Sequence, residues 1–299
     1  MKSPQLPFPK LSEALGIPNE VWFKREDLHK YGSHKGRAIP FMIDEYKKQG
    51  ITNFIVSSSG NAALAAIRAV QSHNRNSKGP SLSLQIFVGN KIDSKKLLGL
   101  KKEIADTHIT LEQVDNPKQT AFQKNKNGDG KWLRQSTDDL ALMGYAELAK
   151  ELSKIENLAA VFVPTSSGTT AQGLYQGFQE LGISPQLHIV QTTSCHPIVD
   201  VLEAISYKLK AKSSTSSLAT AIVDTIALRK EPVAAAIKNS QGSGWIATNE
   251  EILSAQKLTK EATGIDLSPN SALATVGLEQ AIKAGWKWEG AVVCLITGR

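Results

Sequence analysis

The chain has 299 residues, of which 41% are hydrophobic and 21% are charged. This length leaves room for two modest domains or one large α/β unit with a sizeable core, and the composition is ordinary for a globular protein. The formal net charge of +7 allows an anionic partner. The lysines are scattered over predicted helix faces without a basic run or interleaved aromatic residues, which argues against nucleic-acid binding.

The cysteines, the first residues and the apolar runs of the sequence bear on where the protein is located. Cys195 and Cys294 are the two cysteines and lie far apart, which argues against a disulfide framework and indicates a reduced, cytoplasmic setting. The first ten residues are proline-rich without an apolar core, so we expect no signal peptide. No apolar run approaches the ~18–20 residues that a membrane span needs, so no membrane association is expected.

Strand and helix patterns alternate along almost the whole chain. In the first part of the chain we predict a strand over 21–23, a helix over 37–48, a strand over 53–56, a helix over 61–72, a strand over 82–88, a helix from a cap at Asp93 to about 105, a strand over 109–114 and a surface loop over 124–131. In the middle part we predict a helix over 142–154, a strand over 159–163, a helix over 169–181, a strand over 187–191, a helix over 197–210 and a low-complexity loop over 212–217. In the last part we predict a helix over 250–263 with a capping box of Thr248 and Glu251, a helix over 271–284 and a strand over 291–296. Repeated units of this kind predict an α/β fold of open, mostly parallel sheets with helices on both faces. Ligands of such folds bind at the carboxyl ends of the strands.

Lys35 is the first candidate for chemistry. It stands in a tight Gly/Ser turn just before an amphipathic helix, within the segment Lys-Arg-Glu-Asp-Leu-His-Lys-Tyr-Gly-Ser-His-Lys-Gly-Arg of residues 24–37. A lysine amine, with a pKa of about 10.4, is a poor nucleophile at neutral pH unless desolvation or a nearby cation lowers that pKa. Arg37 and the positive end of the helix dipole would both favour the neutral amine. Taken alone, the pattern also fits an ordinary surface lysine.

Two further turns each follow a short apolar run and open a helical pattern. They comprise Ser57, Ser58, Ser59, Gly60 and Asn61, and Thr165, Ser166, Ser167, Gly168, Thr169 and Thr170. Backbone N–H groups of the second turn, at the positive end of a helix dipole and beside hydroxyl groups, suit a phosphate. The first turn suits a carboxylate or a ring oxygen. Either turn, taken alone, also fits an ordinary helix N-cap.

Other chemistries have weaker support. The chain lacks a Gly-Lys-Ser/Thr phosphate loop, metal-ligand spacing among its histidines, a Cys-x-x-Cys pair and a Gly-x-Ser-x-Gly elbow. The partial Gly242-x-Gly244-x-x-Ala247 pattern precedes a strand instead of following one, so we do not interpret it as a dinucleotide site.

The motifs together, in this order, resemble one family, the fold-type II pyridoxal-phosphate enzymes (the tryptophan synthase β-like superfamily), with threonine synthase and serine/threonine dehydratase nearest. The resemblance runs from about Leu11 to the C-terminus and rests on Lys-Arg-Glu-Asp-Leu, Gly-Ser-His-Lys, Ser-Ser-Gly-Asn, the Ser/Gly/Thr turn and a terminal Thr-Gly. It implies that Lys35 forms the Schiff base with pyridoxal 5′-phosphate and that Asn61 bonds the 3′-oxygen of the cofactor. It implies that the phosphate is held by Ser166, Ser167, Gly168, Thr169 and Thr170. It further implies that Thr297 faces the pyridine nitrogen and that Ser58 and Ser59 bind the substrate carboxylate.

The resemblance also implies an organisation and a reaction. The expected larger domain comprises 1–40 and 136–299, and 41–135 forms a smaller mobile domain, with the cofactor in the cleft between them. A hydroxyl partner such as Thr297 leaves the ring nitrogen unprotonated, which disfavours transamination and favours loss of a β leaving group. We expect an elimination or replacement on a small amino acid, foremost the conversion of O-phosphohomoserine to threonine. A serine/threonine ammonia-lyase and a non-catalytic pyridoxal-phosphate-binding protein are the alternatives, and a homodimer is expected.

Some residues depart from the family pattern. Gly36 stands where threonine synthases usually carry Asp, His34 stands where Phe is common, and the phosphate turn is rich in Ser. The chain ends directly after Thr297-Gly298 and Arg299. We therefore expect no regulatory domain of the kind found in allosterically controlled dehydratases.

Overall fold

The computed structural model describes residues 2–76, 79–202 and 214–298 and shows an α/β chain with two sheets. The strands are β1 (Gln5–Pro7), β2 (Val21–Arg25), β3 (Asn53–Val56), β4 (Ser83–Gly89), β5 (Ile109–Val114), β6 (Lys131–Trp132), β7 (Leu158–Pro164), β8 (Gln186–Thr192), β9 (Gly244–Ala247) and β10 (Ala291–Ile296). The helices are α1 (Pro9–Leu15), α2 (Lys35–Lys48), α3 (Asn61–Asn76), α4 (Ser94–Glu103), α5 (Pro117–Lys126), α6 (Leu140–Leu152), α7 (Thr169–Glu180), α8 (Pro197–Val201), α9 (Lys230–Asn239), α10 (Asn249–Thr263) and α11 (Pro269–Lys283), with a short 3₁₀ helix at Glu26–Leu28.

Both sheets are mostly parallel. The six-stranded sheet has the order β1-β2-β10-β7-β8-β9, and the four-stranded sheet has the order β5-β4-β3-β6. Only β1 runs antiparallel to its neighbour β2 among these strands. All six residues of β10 are buried, as an apolar strand inside a parallel sheet requires. The predicted α/β fold with two mostly parallel sheets is confirmed.

The chain divides into two compact units. One comprises Lys30–Gly144 and contains the four-stranded sheet. The other comprises Met1–His29 and Tyr145–Arg299 and contains the six-stranded sheet. The first unit includes the expected 41–135 segment and also Lys35, which the sequence assigned to the larger domain. Independent motion of 41–135 stays a prediction.

Most predicted elements are present, and several agree with the structure to the residue. The strands at 53–56, 109–114 and 291–296 coincide with β3, β5 and β10. The capping box is confirmed, because the Glu251 backbone N–H donates to Thr248 Oγ1 at 3.2 Å and the Thr248 N–H donates to Glu251 Oε2 at 2.8 Å. Asp93 caps α4 by accepting from the Lys96 backbone N–H at 3.0 Å.

The surface loop predicted over 124–131 is wrong at both of its ends. Helix α5 extends to Lys126, and β6 begins at Lys131. Ala121 is the buried residue of α5, so the helix carries almost no apolar periodicity that could reveal it. Strand β6 has two residues and exists through its parallel pairing with β3.

Gly242 and Gly244 have a structural role in the six-stranded sheet. Gly244 is itself the first residue of β9 and pairs with Ile189 of β8, so the pattern lies at and within a strand instead of preceding one. A Cβ atom on Gly242 would lie 1.9 Å from the Leu187 carbonyl oxygen. A glycine is therefore needed there for the close approach of two backbones.

The helix predicted over 197–210 is present as α8, which ends at Val201. Residues 203–210 lie outside the described part of the chain, as do residues 212 and 213 of the low-complexity loop. The sequence reasoning also missed β1, α1, the 3₁₀ helix and α9. Helix α1 did carry a signal, since Pro9 opens it and Gly16 closes it in the left-handed conformation.

No helix in the part of the chain that the structure describes is long and apolar enough to span a bilayer.

A buried ion pair anchors the first residues of the chain. The Lys24 amine lies 2.5 Å from Glu151 Oε2 and donates to the Ser3 carbonyl at 2.9 Å, and the Lys24 side chain is 1% exposed. We expect Glu151→Gln to lower the free energy of unfolding by about 3 kcal/mol, because a buried ammonium then loses the carboxylate that lies 2.5 Å from it. Urea unfolding measures this. Glu147→Gln, on the same helix, removes the exposed partner of Lys150 and should change little; equal losses for both variants would contradict the prediction.

Candidate active site

The turn before α2 fixes the position of Lys35. Gly32 has φ +89°, and a Cβ atom there would lie 2.9 Å from Leu64 Cδ2, so both its conformation and its space require glycine. The buried Ser33 hydroxyl accepts the Lys35 backbone N–H at 3.2 Å. These local constraints make Lys35 the first residue of α2.

The Lys35 amine is chemically unusual. It donates to Gln135 Oε1 at 3.3 Å, and the residue as a whole is half-buried. Burial lowers the pKa of the amine from 10.5 to about 8. At pH 7 about a tenth of the amine is then neutral, against about one part in 3,000 for a lysine with pKa 10.5. The cause is burial, and not the Arg37 guanidinium that the sequence suggested.

The lowered pKa of Lys35 has a measurable consequence. Only the neutral amine attacks a carbonyl, so the rate at which apoprotein takes up pyridoxal phosphate should rise with pH and reach half its maximum near pH 8. Stopped-flow absorbance at about ten pH values between pH 6 and 10 measures this pH dependence of the uptake rate. A half-maximum above pH 10, as for an exposed lysine, would contradict the effect of burial.

The second polar turn lies between β3 and α3. The Ser58 hydroxyl accepts the Gly60 backbone N–H at 3.2 Å, and Ser59 is exposed. Asn61 is the first residue of α3. Because β3 lies inside its sheet, between β4 and β6, this turn occupies the carboxyl edge where α/β folds bind ligands.

The third turn connects β7 to α7. Its Ser166 hydroxyl accepts the backbone N–H groups of Val223 at 3.1 Å and Asp224 at 3.2 Å, which leaves the hydroxyl hydrogen for another acceptor. The hydroxyls of Ser167 and Thr169 are hydrogen-bonded to each other at 3.0 Å. Thr169 and Thr170 form the first turn of α7, whose N–H groups by helix geometry have no acceptor within the helix.

Gly168 is required by the same turn. Its φ is +86°, and a Cβ atom would lie 2.6 Å from Val233 Cγ2. Gln191 of β8 supports the turn from behind by donating to the Ser166 carbonyl at 3.4 Å and accepting from the Ile198 N–H at 2.9 Å. The backbone of the turn is thus fixed by Gln191 and packed against Val233.

Thr297 directly follows β10 and is buried. The next residue is fixed by two serines, since the Gly298 carbonyl accepts from Ser268 Oγ at 2.8 Å and from Ser271 Oγ at 2.7 Å. Strands β10 and β7 are parallel neighbours, with Cys294 opposite Phe162. Thr297 and the turn after β7 therefore lie at the same edge of the six-stranded sheet.

The structure thus groups the predicted residues by unit. Ser166, Ser167, Gly168, Thr169, Thr170 and Thr297 share one sheet edge, and Lys35, Ser58, Ser59 and Asn61 belong to the Lys30–Gly144 unit. Sequence reasoning missed Gln135, Gln191 and Ser271, which hold these residues in place. No local signal marks Gln135, because it lies 100 residues from Lys35.

These groups suit a phosphorylated aldehyde. Lys35 supplies an amine whose pKa burial lowers to about 8, and the α7 N-terminus with its hydroxyls supplies donors for a dianion. The backbone turns at Gly168 in the left-handed conformation, and a Cβ atom there would have no room. No group of three or more His, Cys, Asp or Glu side chains in the described residues could hold a metal ion.

The fold defines a class, an α/β chain with two mostly parallel sheets, and Lys35 is its candidate reactive amine. Comparisons with known proteins are specific about the family. The model of the family described as "Pyridoxal-phosphate dependent enzyme" matches residues 2–298. The chain therefore belongs to the pyridoxal-phosphate-dependent enzymes, and pyridoxal phosphate is its cofactor.

Relatives of known name include threonine synthases and serine/threonine dehydratases. Threonine synthase of Methanocaldococcus jannaschii is 26% identical over 307 residues, covering 96% of this chain and 72% of that protein. L-serine dehydratase/L-threonine deaminase of Homo sapiens is 28% identical over 165 residues, covering 54% of this chain and 48% of that protein. Among solved structures, processed threonine deaminase isoform 2 of Solanum lycopersicum matches with a TM-score of 0.80 at 19% identity, covering 100% of this chain and 79% of that one, which shows the same fold. The chain is accordingly a pyridoxal-phosphate-dependent lyase of small amino acids.

Proposed function

We propose that the enzyme carries out a β,γ-replacement on O-phosphohomoserine, in which phosphate leaves Cγ and water adds its hydroxyl group at Cβ, and so produces threonine and inorganic phosphate. The observation that carries this proposal is the extent of the similarity: the threonine synthase alignment spans 96% of the chain, whereas that of the human dehydratase spans 54%. The net charge of +7 also suits a phosphorylated substrate.

Each predicted residue has a role in this reaction. Pyridoxal phosphate, when bound, supplies the electron sink for the charge that develops at the substrate α-carbon. Lys35 binds the cofactor through Nζ, and the same amine, once released, accepts the α-proton; a pKa of about 8 supports this role. Ser58 and Ser59 bind the substrate carboxylate, and Asn61 bonds the 3′-oxygen of the cofactor.

The other unit contributes the anion site. The turn of Ser166, Ser167, Gly168, Thr169 and Thr170 binds the cofactor phosphate through N–H and O–H donors. Thr297 faces the pyridine nitrogen with a hydroxyl group, which favours loss of a leaving group over transamination. The burial of Thr297 and its place at the carboxyl edge of β10 support this role.

The serine/threonine ammonia-lyase is the second candidate, since dehydratases also align with the chain. It shares α-proton removal but expels hydroxide from serine or threonine and ends with a 2-oxo acid and ammonia. A protein that binds pyridoxal phosphate without turnover is the third candidate.

One experiment separates the three candidates. The cofactor-loaded protein is incubated with O-phosphohomoserine, L-threonine or L-serine, and inorganic phosphate, threonine and 2-oxo acid are measured. Phosphate and threonine in equal amounts support the proposal. A 2-oxo acid from serine or threonine, without phosphate release from O-phosphohomoserine, assigns the ammonia-lyase. No product, with a cofactor spectrum that amino acids leave unchanged, assigns the non-catalytic protein.

The setting of the enzyme is also a proposal. A cytoplasmic location is supported by Cys195 and Cys294, which are both unpaired and buried.

A homodimer is the assembly that the resemblance implies, and sedimentation of the purified protein tests it.

A further inference from the structure

A cavity of about 520 Å³ lies within the Lys30–Gly144 unit. Its lining comes from α3, from the end of α4 and from the loop before Lys35, and none of the predicted site residues belongs to it. Its volume falls within the ~300–1,000 Å³ range of small-molecule sites. The proposed function assigns this cavity no role.

The floor of the cavity is firmly built. Arg68 of α3 donates from Nε and Nη2 to the two carboxylate oxygens of Glu103, at 3.0 and 2.8 Å. The buried Gln71 donates to the Glu103 carbonyl at 3.0 Å and accepts from the Ala105 N–H at 2.6 Å. This double anchorage joins α3 to the end of α4. The Arg68 guanidinium beside Glu103 holds the pKa of that carboxyl below its usual value, so the ion pair persists at neutral pH.

The rim of the cavity carries three further cations. Lys30, Arg75 and Lys102 are exposed, and in residues 2–76, 79–202 and 214–298 none of them has a carboxylate partner. Lys30 Nζ lies 4.6 Å from the centroid of the Tyr31 ring, and Arg75 Nε donates to the Gln71 carbonyl at 3.3 Å. Neither contact neutralises a charge.

A charge balance over the lining residues and the two helix ends gives the net charge of the cavity. Arg68 and Glu103 cancel each other. Helices α3 and α4 both end at the cavity, and each C-terminus contributes roughly half a negative charge. The three rim cations therefore leave an excess of about +2, more than is needed to complement the helix dipoles.

We propose that this cavity binds a small phosphorylated anion with at least two negative charges, such as a diphosphate or a phosphate ester. The Arg75 guanidinium and the two ammonium groups form charge-assisted hydrogen bonds with phosphate oxygens. Ser72 adds a hydroxyl donor from the same face of α3. The anion relieves the repulsion among the rim cations, and it contacts the loop that leads through Gly32 to Lys35.

The test is calorimetric titration of the protein with sodium pyrophosphate at constant ionic strength. The protein is first loaded with pyridoxal phosphate, so that the predicted phosphate turn at 166–170 is filled. We expect one saturable site. The double variant Arg75→Gln/Lys102→Gln should weaken binding by about tenfold or more, because two charge-assisted contacts are lost. Lys96→Gln/Lys118→Gln removes the same net charge from exposed positions of the same unit outside the cavity and should change the Kd by less than about twofold.

Several results would overturn the proposal. Equal weakening in both double variants would mean attraction by net charge alone, and absence of saturable binding to the parent protein would mean that no site exists. Citrate that binds as tightly as pyrophosphate would exclude a preference for phosphate. Thermal unfolding of both variants checks that each is folded. Because the readout is pyrophosphate binding, it is independent of which amino acid the enzyme converts.

Discussion

We expect Lys35→Ala to abolish covalent attachment of the cofactor and to lower turnover by about a thousandfold or more, since both the proposed nucleophile and the proposed α-proton base are removed. Borohydride reduction of the parent protein, followed by peptide mass spectrometry, places the pyridoxyl adduct on residue 35. The same treatment of the variant leaves no adduct at any lysine. Turnover is measured with whichever substrate the product assay identifies.

A matched control comes from the same helix. Lys48 is an exposed lysine of α2, paired with Glu45, and Lys48→Ala removes one lysine without reaching the turn before α2. This variant keeps the adduct and the turnover. An adduct on another lysine in the parent protein, or normal turnover in Lys35→Ala, shows that the reactive amine has been misassigned.

Gly168→Ala should be the second most damaging of these changes. The left-handed conformation costs an alanine roughly 1–2 kcal/mol, and the new Cβ atom, 2.6 Å from Val233 Cγ2, adds an overpacking cost of about 1–3 kcal/mol. Relief of this contact moves the first N–H groups of α7. We therefore expect both lower stability and cofactor affinity reduced by about tenfold or more, as measured by urea unfolding and fluorescence titration.

Gly182→Ala separates the loss of stability from the loss of cofactor affinity. Gly182 follows the other end of α7 with φ +69°, and a Cβ atom there would meet no other atom within 4 Å, so an alanine at this position encounters backbone strain alone. It should cost about 1–2 kcal/mol of stability and leave cofactor affinity unchanged. If Gly182→Ala weakens the cofactor as much as Gly168→Ala, the loss reflects global stability and the turn has no specific part in binding.

Local patterns in the sequence are sufficient for much of the fold. Strands β3, β5 and β10 are short apolar or alternating runs between turn residues, and their ends are marked in the sequence itself. The capping box of α10 depends on two residues three positions apart, so it too is visible locally. Helix α5 and strand β6 were missed because one buries almost nothing and the other depends on its partner strand.

The candidate site, like the fold, is visible in part from local sequence patterns. Lys35, Asn61 and the turn around Gly168 each stand at a junction of an apolar run, a Gly/Ser turn and a helix, and that order along the chain is what resembles the family. The family itself is confirmed by the match over residues 2–298. The roles of the individual residues stay predictions until the variants above are measured.

The sequence by itself determined the class of fold, the cofactor family and the candidate nucleophile, because each motif consists of residues close together in the chain and the order of the motifs can be seen in the sequence. Only the tertiary structure decided the rest. It lowers the pKa of Lys35 through burial and places Gln135 against the amine, and it brings Thr297 to the same sheet edge as Ser166 by pairing β10 with β7. Burial and strand pairing join residues a hundred or more positions apart, and no local pattern encodes such contacts.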